Sequence, residues 1–452
     1  MRQTARQPAR AASRASQIRS TARGGRASRA CTAVRGHTWL ALTLVAGLAG
    51  CAVPDEPAGA NDAASNTAVV GGAVSDMATG DGRTSDSTAG GGANVDALLD
   101  FLRDRELTLP QFAGGADGGL FVAWREPTEG RGGNLMLARR GDSGAFEAPV
   151  RVNDIEGSVG GGSLDEGRPA IAVVGDQVAV AWTARGGDIR AAVSNDGGRT
   201  FAPSLNLNSD EGAGAYRGFV DIALDAQGVA HAAWIDGRFA PRGAEEPAEL
   251  FYARIAGSEV TEINLTEQQA DSICGCCRID VAARPEGGLR IAFRNTGGGY
   301  RDIWRIEAGP DGAFGEPARL GPPMWQLNGC PVIGPLNVGE ATLWAEASIG
   351  KRRILAATDT SGQFEVVLQD DEQWAIERPP RVVVGAARDD ATLLLVPGRP
   401  AGKLLRGAGS DWRVAAEGLP RWAMSAALIG DRLVLIGELD GELQAETRPL
   451  DF

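Results

Sequence analysis

Four cysteines fall in two short stretches whose residue types could do chemistry. Cys274, Cys276 and Cys277 lie in Ser272-Ile-Cys-Gly-Cys-Cys-Arg-Ile-Asp280, and Cys330 lies in Asn328-Gly-Cys-Pro-Val-Ile. Thiols this dense either close disulfides or hold a soft metal. Adjacent Cys276 and Cys277 are about 3.8 Å apart at Cα, too close for an unstrained bridge. Of the three pairings that four cysteines allow, we therefore expect Cys276 or Cys277 to bridge Cys330, and Cys274 to bridge the remaining one. The alternative is a thiolate site for copper or zinc, with Met324 near enough in sequence to join for copper. Only His37 and His231 occur in the chain, so imidazoles cannot dominate such a site. No other cofactor is implied.

Arginine recurs just ahead of five apolar runs: Gly-Arg168-Pro-Ala-Ile-Ala, Tyr-Arg217-Gly-Phe-Val-Asp, Cys-Arg278-Ile-Asp-Val, Pro-Arg381-Val-Val-Val and Pro-Arg421-Trp-Ala-Met. If these runs converge, the guanidiniums would hold a carboxylate or other oxyanion through bidentate bonds. The competing structural reading is that each arginine pairs with a nearby acid, Asp221 and Asp280 being close in sequence, and fastens one repeat to the next.

The elements that must position these groups are repeats. Apolar strands end in an aromatic at Phe121-Val-Ala-Trp124, Ala179-Val-Ala-Trp182, His231-Ala-Ala-Trp234, Arg290-Ile-Ala-Phe293 and Ala341-Thr-Leu-Trp344, with weaker copies at Thr392–Val396 and Arg432–Ile436. A period of tens of residues built from short strands predicts propeller blades, each too small to fold alone. Seven units are counted. The last shows three strands, so a strand near residues 105–113 is expected to complete it. The cysteine and arginine stretches then precede innermost strands and gather at the channel mouth. The loop 236–248, rich in Arg and Glu, is expected as a solvated lip over that mouth.

Ser194-Asn-Asp196-Gly-Gly198-Arg-Thr200-Phe201 carries a tight-turn signature: an Asp to accept backbone N–H groups, Gly for positive φ, and an aromatic to pack beneath. Degenerate copies begin at Asp142, Asp311 and Asp359. This segment resembles the Asp-box of the sialidase-like (BNR) propeller superfamily, over residues 107–452. The resemblance implies an all-β propeller, seven-bladed by the count here although six is the number in most hydrolases of the superfamily. It also implies an exo-acting glycoside hydrolase as one function, in which arginines hold a substrate carboxylate and a Tyr acts as nucleophile. Tyr300, in Gly-Gly-Gly-Tyr300-Arg301-Asp302, is the mouth-side candidate, and Arg301 joins the anion-binding arginines. The superfamily's Phe/Tyr-Arg-Ile-Pro signature is missing, Phe293-Arg294-Asn295-Thr departing at two positions. Catalytic residues are thus not carried over one by one, and binding is read ahead of catalysis. The Cys-x-Cys-Cys and Gly-Cys-Pro pattern resembles that of uncharacterised bacterial propellers and implies no activity.

Charge narrows the partners. The chain of 452 residues carries a net charge of −13, and its first 50 residues hold nine Arg and no acid, so removing those nine charges leaves the rest at −22. An acidic body lacks the basic field that a phosphate backbone requires, which excludes general nucleic-acid binding. The apolar run Trp39–Gly50 is too short to span a bilayer core of roughly 30 Å; with the basic segment before it, it reads as a secretory signal over residues 1–50. Its end, Leu48-Ala49-Gly50-Cys51, resembles the lipobox of bacterial lipoproteins, which implies lipidation of Cys51. Ala52 in place of Asp implies the outer membrane. Residues 51–93, poor in large apolar side chains, are expected as a tether, and residues 94–106 as a helix docking on the body through Leu98, Leu99 and Leu102. The expected protein is a monomeric envelope lipoprotein, attached to the membrane only through its lipid. Its mouth would bind a small anionic or glycan ligand or another envelope protein; the alternatives are the glycosidase and a thiolate metal binder.

Overall fold

The computed structural model describes residues 100–450 apart from 103–107, 115–118, 130–131, 142, 161–166, 211–214, 242–246, 270, 330, 332, 379, 385–390, 430 and 441. The expected signal, tether and lipidated Cys51 lie outside the described residues, as do Cys330 and most of the expected helix 94–106.

Alternating apolar residues build antiparallel strands with one residue in two facing a neighbouring sheet. Six four-stranded sheets and one of three strands follow one another along the chain as seven blades of a β-propeller. The innermost strands are Thr108–Gly114, Ala170–Val174, Arg217–Leu224, Asp280–Ala283, Leu336–Val338, Arg381–Val382 and Ala423–Ile429. Each aromatic-ended run lies on the second strand of its blade, and Trp124, Trp182, Trp234, Phe293 and Trp344 are all buried. A two-stranded ribbon, Ala375–Ile376 with Gly398–Arg399, sits beside blade six.

The core is divided by the ring. Among the described residues it forms seven hydrophobic clusters, each seated between two consecutive blades, including one between blades seven and one that closes the circle. A blade buries its two faces only when both neighbours are present, which is why stacking drives the fold.

Closure departs from expectation. Thr108–Gly114 does not complete blade seven; it pairs with Leu120–Pro127 as the innermost strand of blade one, and among the described residues blade seven is a sheet of three strands, Ala423–Ile429, Arg432–Leu439 and Glu442–Pro449. The Gln111–Gly114 register places Phe112 on the cluster shared with blade seven. The seam is sealed by packing and by the Phe112 N–H, which donates to Ser425 Oγ at 3.0 Å. Of the expected docking helix, residues 100–102 are described and helical. Leu102 is fully buried in the seam cluster, while Phe101 stacks on Phe146 and meets Trp124 edge-on.

The segment 194–201 forms the tight turn its sequence predicts. Asp196 Oδ1 accepts the N–H groups of Arg199 and Thr200 at 3.0 and 2.9 Å, and the Thr200 hydroxyl donates to Oδ2 at 2.6 Å. Gly197 and Gly198 take φ of 73° and 79°, a region costly for residues with a Cβ. These turns lie at the opposite end of the strands from the channel mouth. Among the described residues no helix is long and apolar enough to cross a membrane.

Candidate functional site

A pocket of about 150 Å³ lies on the ring axis, lined from six of the seven blades. Three of the predicted arginines, Arg168, Arg278 and Arg381, come together there with Gln111, Asp221 and Asp280. Backbone irregularity helps place them. The innermost strands of blades one and three carry non-glycine residues at positive φ, Leu109 at 55° and Phe219 at 53°, each two residues before a channel-lining side chain, Gln111 and Asp221. Strained backbone of this kind costs of order 1–3 kcal/mol and persists where the surroundings enforce it.

The channel side chains also join blades. Arg168 Nε donates to Gln111 Oε1 at 2.6 Å, and Gln111 Nε2 donates to the Pro169 carbonyl at 2.5 Å. Asp221 Oδ2 accepts the N–H of Val281 in the next blade at 2.7 Å, and Asp280 Oδ2 accepts that of Asn337 in the blade after at 2.8 Å. Arg168 thus ties blade two to blade one, and the two acids tie blades three to four and four to five.

Electrostatics sets the two carboxyls apart from ordinary ones. Burial pushes Asp221 upward against the pull of Arg278 and Arg168. Burial pushes Asp280 up to about 8, with the Asp221 charge adding to the shift and the Asn337 N–H and Arg278 opposing it. The shift favours the neutral form of Asp280, which can donate a hydrogen bond, in a pocket that it shares with Asp221, Gln111 and three arginines.

Two predicted arginines lie outside this lining. Arg217 is fully buried as the ladder partner of Asp236; its Nε bonds Asp236 Oδ2 at 2.8 Å and its Nη2 reaches Asp210. Arg421 is exposed and paired with Glu377 at 2.8 Å, which also binds Arg399. Both arginines are thus spent on acids, Arg217 on one in its own blade. The cause is register. Arg278 stands two residues before its blade-joining side chain Asp280, whereas Arg217 and Arg421 stand four before theirs, Asp221 and Ser425.

Tyr300 and Arg301 likewise do not line the axial pocket. Tyr300 follows a short 3₁₀ turn and bridges to Gln326, while Arg301 extends its charge toward Cys274. Of the expected lip, Arg238 is tied to Asp236 and Glu262 and lies 3.9 Å over the Phe251 ring.

The cysteine stretch forms a separate group in the same region of blade four. Cys274 and Cys277 are buried free thiols with sulfurs 3.0 Å apart, so the expected second bridge is not formed. Cys276 is disulfide-bonded, and its Sγ lies 3.6 Å from that of Cys274. The hydrogen bond from Cys277 lowers the Cys274 thiol to about 7, whereas burial holds Cys277 well above the ordinary thiol value. Met324 packs with the Trp344 cluster instead.

Sequence reasoning missed a third group. His231 Nδ1 lies 2.7 Å from the Tyr252 hydroxyl and Nε2 lies 3.1 Å from Asp225 Oδ2, along a 370 Å³ pocket at the turn end of blades three and four. Burial depresses the His231 ring against the pull of Asp225, and burial raises Tyr252. The three residues stand on different strands and turns, so no local spacing announced them.

No protein-family profile and no curated protein matches the chain. Among solved structures it is similar to a Hadza microbial sialidase (13% identity, TM-score 0.39, 76% of this chain and 66% of that one). It is also similar to the alpha-L-arabinanase of Penicillium chrysogenum (12%, 0.43, 76% and 94%) and to an ulvan lyase of polysaccharide lyase group PL25 (12%, 0.48, 76% and 96%). The chain spans just under two thirds of that sialidase. Likeness at this level carries no argument about activity, and the site stands on its own residues.

Proposed function

We propose that this propeller binds a small carboxylate-bearing ligand, such as an acidic sugar, in its axial pocket. The observation that carries the reading is the convergence of Arg168, Arg278 and Arg381 in one concave site, beside an Asp280 whose carboxyl burial pushes upward. Guanidiniums supply charge-assisted bonds, and the neutral acid donates a hydrogen bond where an ionised one would repel the ligand. The lipobox-like Leu48-Ala49-Gly50-Cys51 supports attachment to the outer membrane through lipid on Cys51, which would keep the pocket within the cell envelope. Calorimetric titration with galacturonate, glucuronate and N-acetylneuraminate tests the binding. At least one should bind with a 1:1 stoichiometry that Arg278→Ala weakens; equal affinity of the variant for every binder would reject the channel.

Asp280 favours a second reading, an exo-acting glycoside hydrolase in which this acid protonates the leaving oxygen while water attacks the anomeric carbon, with no part for Tyr300 as nucleophile. Release of 4-methylumbelliferone from an acidic glycoside, abolished by Asp280→Asn and retained in Tyr300→Phe, would establish it. Bound glycoside left intact by the wild type would return the protein to the binding reading.

A further inference from the structure

The three described sulfurs of the 272–280 stretch lie within 4.8 Å of one another, and no imidazole or carboxylate belongs to the group. Two of them, on Cys274 and Cys277, are unbridged and almost wholly shielded from solvent. Backbone donors already face this pair: the Cys276 N–H is directed to the Cys274 sulfur and the Ile333 N–H to the Cys277 sulfur. Arg294, with 1% of its surface exposed, donates to the Ile333 and Ala345 carbonyls at 2.8 and 3.1 Å and is thereby fixed beside the group. Its charge and that of Arg301 act on Cys274.

We propose that Cys274 and Cys277 form a buried site for monovalent copper, gated by the oxidation state of Cys276. Soft thiolates select Cu(I) and Zn(II). Structural zinc takes four ligands in a tetrahedron, whereas the unbridged sulfurs here number two, a set that suits Cu(I). Binding exchanges two thiol protons for one cation, forming two Cu–S bonds and leaving one net negative charge opposite Arg294 and Arg301. Metal–sulfur bonds of about 2.3 Å require sulfurs roughly 3.8–4.6 Å apart. The 3.0 Å pair must therefore open by about 1 Å, while Cys276, at 3.6 Å from Cys274, already stands near the spacing of a third ligand. Reduction of its disulfide by an added dithiol, which is itself oxidised to a disulfide as it passes two electrons and two protons to Cys276 and its partner thiol, would supply that ligand and tighten the site with no change in oxidation state of the copper.

Anaerobic titration of the full chain with Cu(I) against the chromophoric chelator bicinchoninate tests the proposal. One copper per chain should leave the chelator, with affinity rising at least tenfold after the disulfide is reduced. Cys276→Ser should keep one copper and lose the response to reductant; Cys274→Ser should lose copper by a hundredfold or more. Because Cys274→Ser could fail to fold, X-ray absorption at the copper edge of the loaded, folded wild type provides an independent readout. It should show only sulfur neighbours, at about 2.3 Å. A wild-type protein that takes no copper, or copper surrounded by nitrogen or oxygen neighbours, would overturn the site. Neither result touches the axial pocket, whose residues are different.

Discussion

Asp236 and Asp280 are acids of neighbouring blades, both drawn out of water, and their carboxyls are shifted in opposite directions. Burial works to raise both. At Asp236 the direct bonds of Arg238, Trp234 and Arg217 outweigh it and hold the carboxyl below its usual value. At Asp280 the opposing donors are Asn337 and the more distant charge of Arg278, the Asp221 charge pushes the other way, and the group rises to about 8. A buried carboxylate stays charged when donors surround it, and such an acid is committed to structure. One with fewer donors keeps its proton near neutrality and remains available to a ligand. The Arg217–Leu224 strand shows both surroundings within a few residues, Arg217 at its start locked to Asp236 and Asp221 at its middle facing the channel.

The comparison breaks first at its structural half. Arg217→Ala should cost roughly 3–5 kcal/mol by denaturant unfolding, because Asp236 would lose one partner of a fully buried pair. A loss below about 1 kcal/mol would mean that Arg238 alone satisfies the acid. On the channel side, Arg278→Ala should weaken an acidic ligand about 10- to 100-fold at pH 6, as expected for removing one charge-assisted bond of about 1.5–3 kcal/mol, with a smaller effect on stability than Arg217→Ala.

A pH series sharpens the contrast. Asp280 faces Asp221, Arg278 and the Asn337 N–H, and its ionisation adds negative charge among the arginines. Affinity for an anion should therefore fall as pH rises through about 8, and Asp280→Asn should flatten that fall. Stability follows the same sign. A pKa raised in the folded state gives a contribution that is full below the ordinary value of 3.8 and lost as pH climbs through about 8. Asp280→Asn should consequently be the more stable protein at pH 9, by on the order of 1 kcal/mol or more; a less stable variant would show that the carboxylate is well solvated there. The smallest effect belongs to the turn end. Asp196, held low first by the Thr200 hydroxyl and then by backbone donors, contributes stability present above the usual carboxylate range and lost in acid. Thr200→Val should lower the melting temperature slightly at neutral pH and not at all once Asp196 is protonated.

Much of this architecture is written in local pattern. The aromatic at the end of each second strand must pack between blades, so Trp124, Trp182 and Trp234 reported the repeat directly. The turn at 194–201 was equally legible because its donors and acceptors are neighbours in sequence. The channel was legible in part: Arg168, Arg278 and Arg381 reach it, but the two-residue difference in register that diverts Arg217 and Arg421 arises from strand starts that no motif marks. Asp221 and Asp280 stood in view as arginine partners, yet their value depends on burial and on donors from the following blade. The Asp225–His231–Tyr252 chain was invisible for the same reason, being made by pairing across strands.

The three-stranded seventh blade has a mechanical consequence. No strand of the described ring is shared between first and last blades, so among the described residues the join is held by the side chains of one cluster and the Phe112–Ser425 bond. Leu102 is buried in that same cluster, just before the first blade. Tension carried through the chain ahead of Leu102 would thus be delivered to the join itself, pulling first on Leu102 and then on the innermost strand of blade one. The ring behaves as a clasp whose release lies on its N-terminal side, and its yield force is set by apolar packing more than by hydrogen-bonded strands.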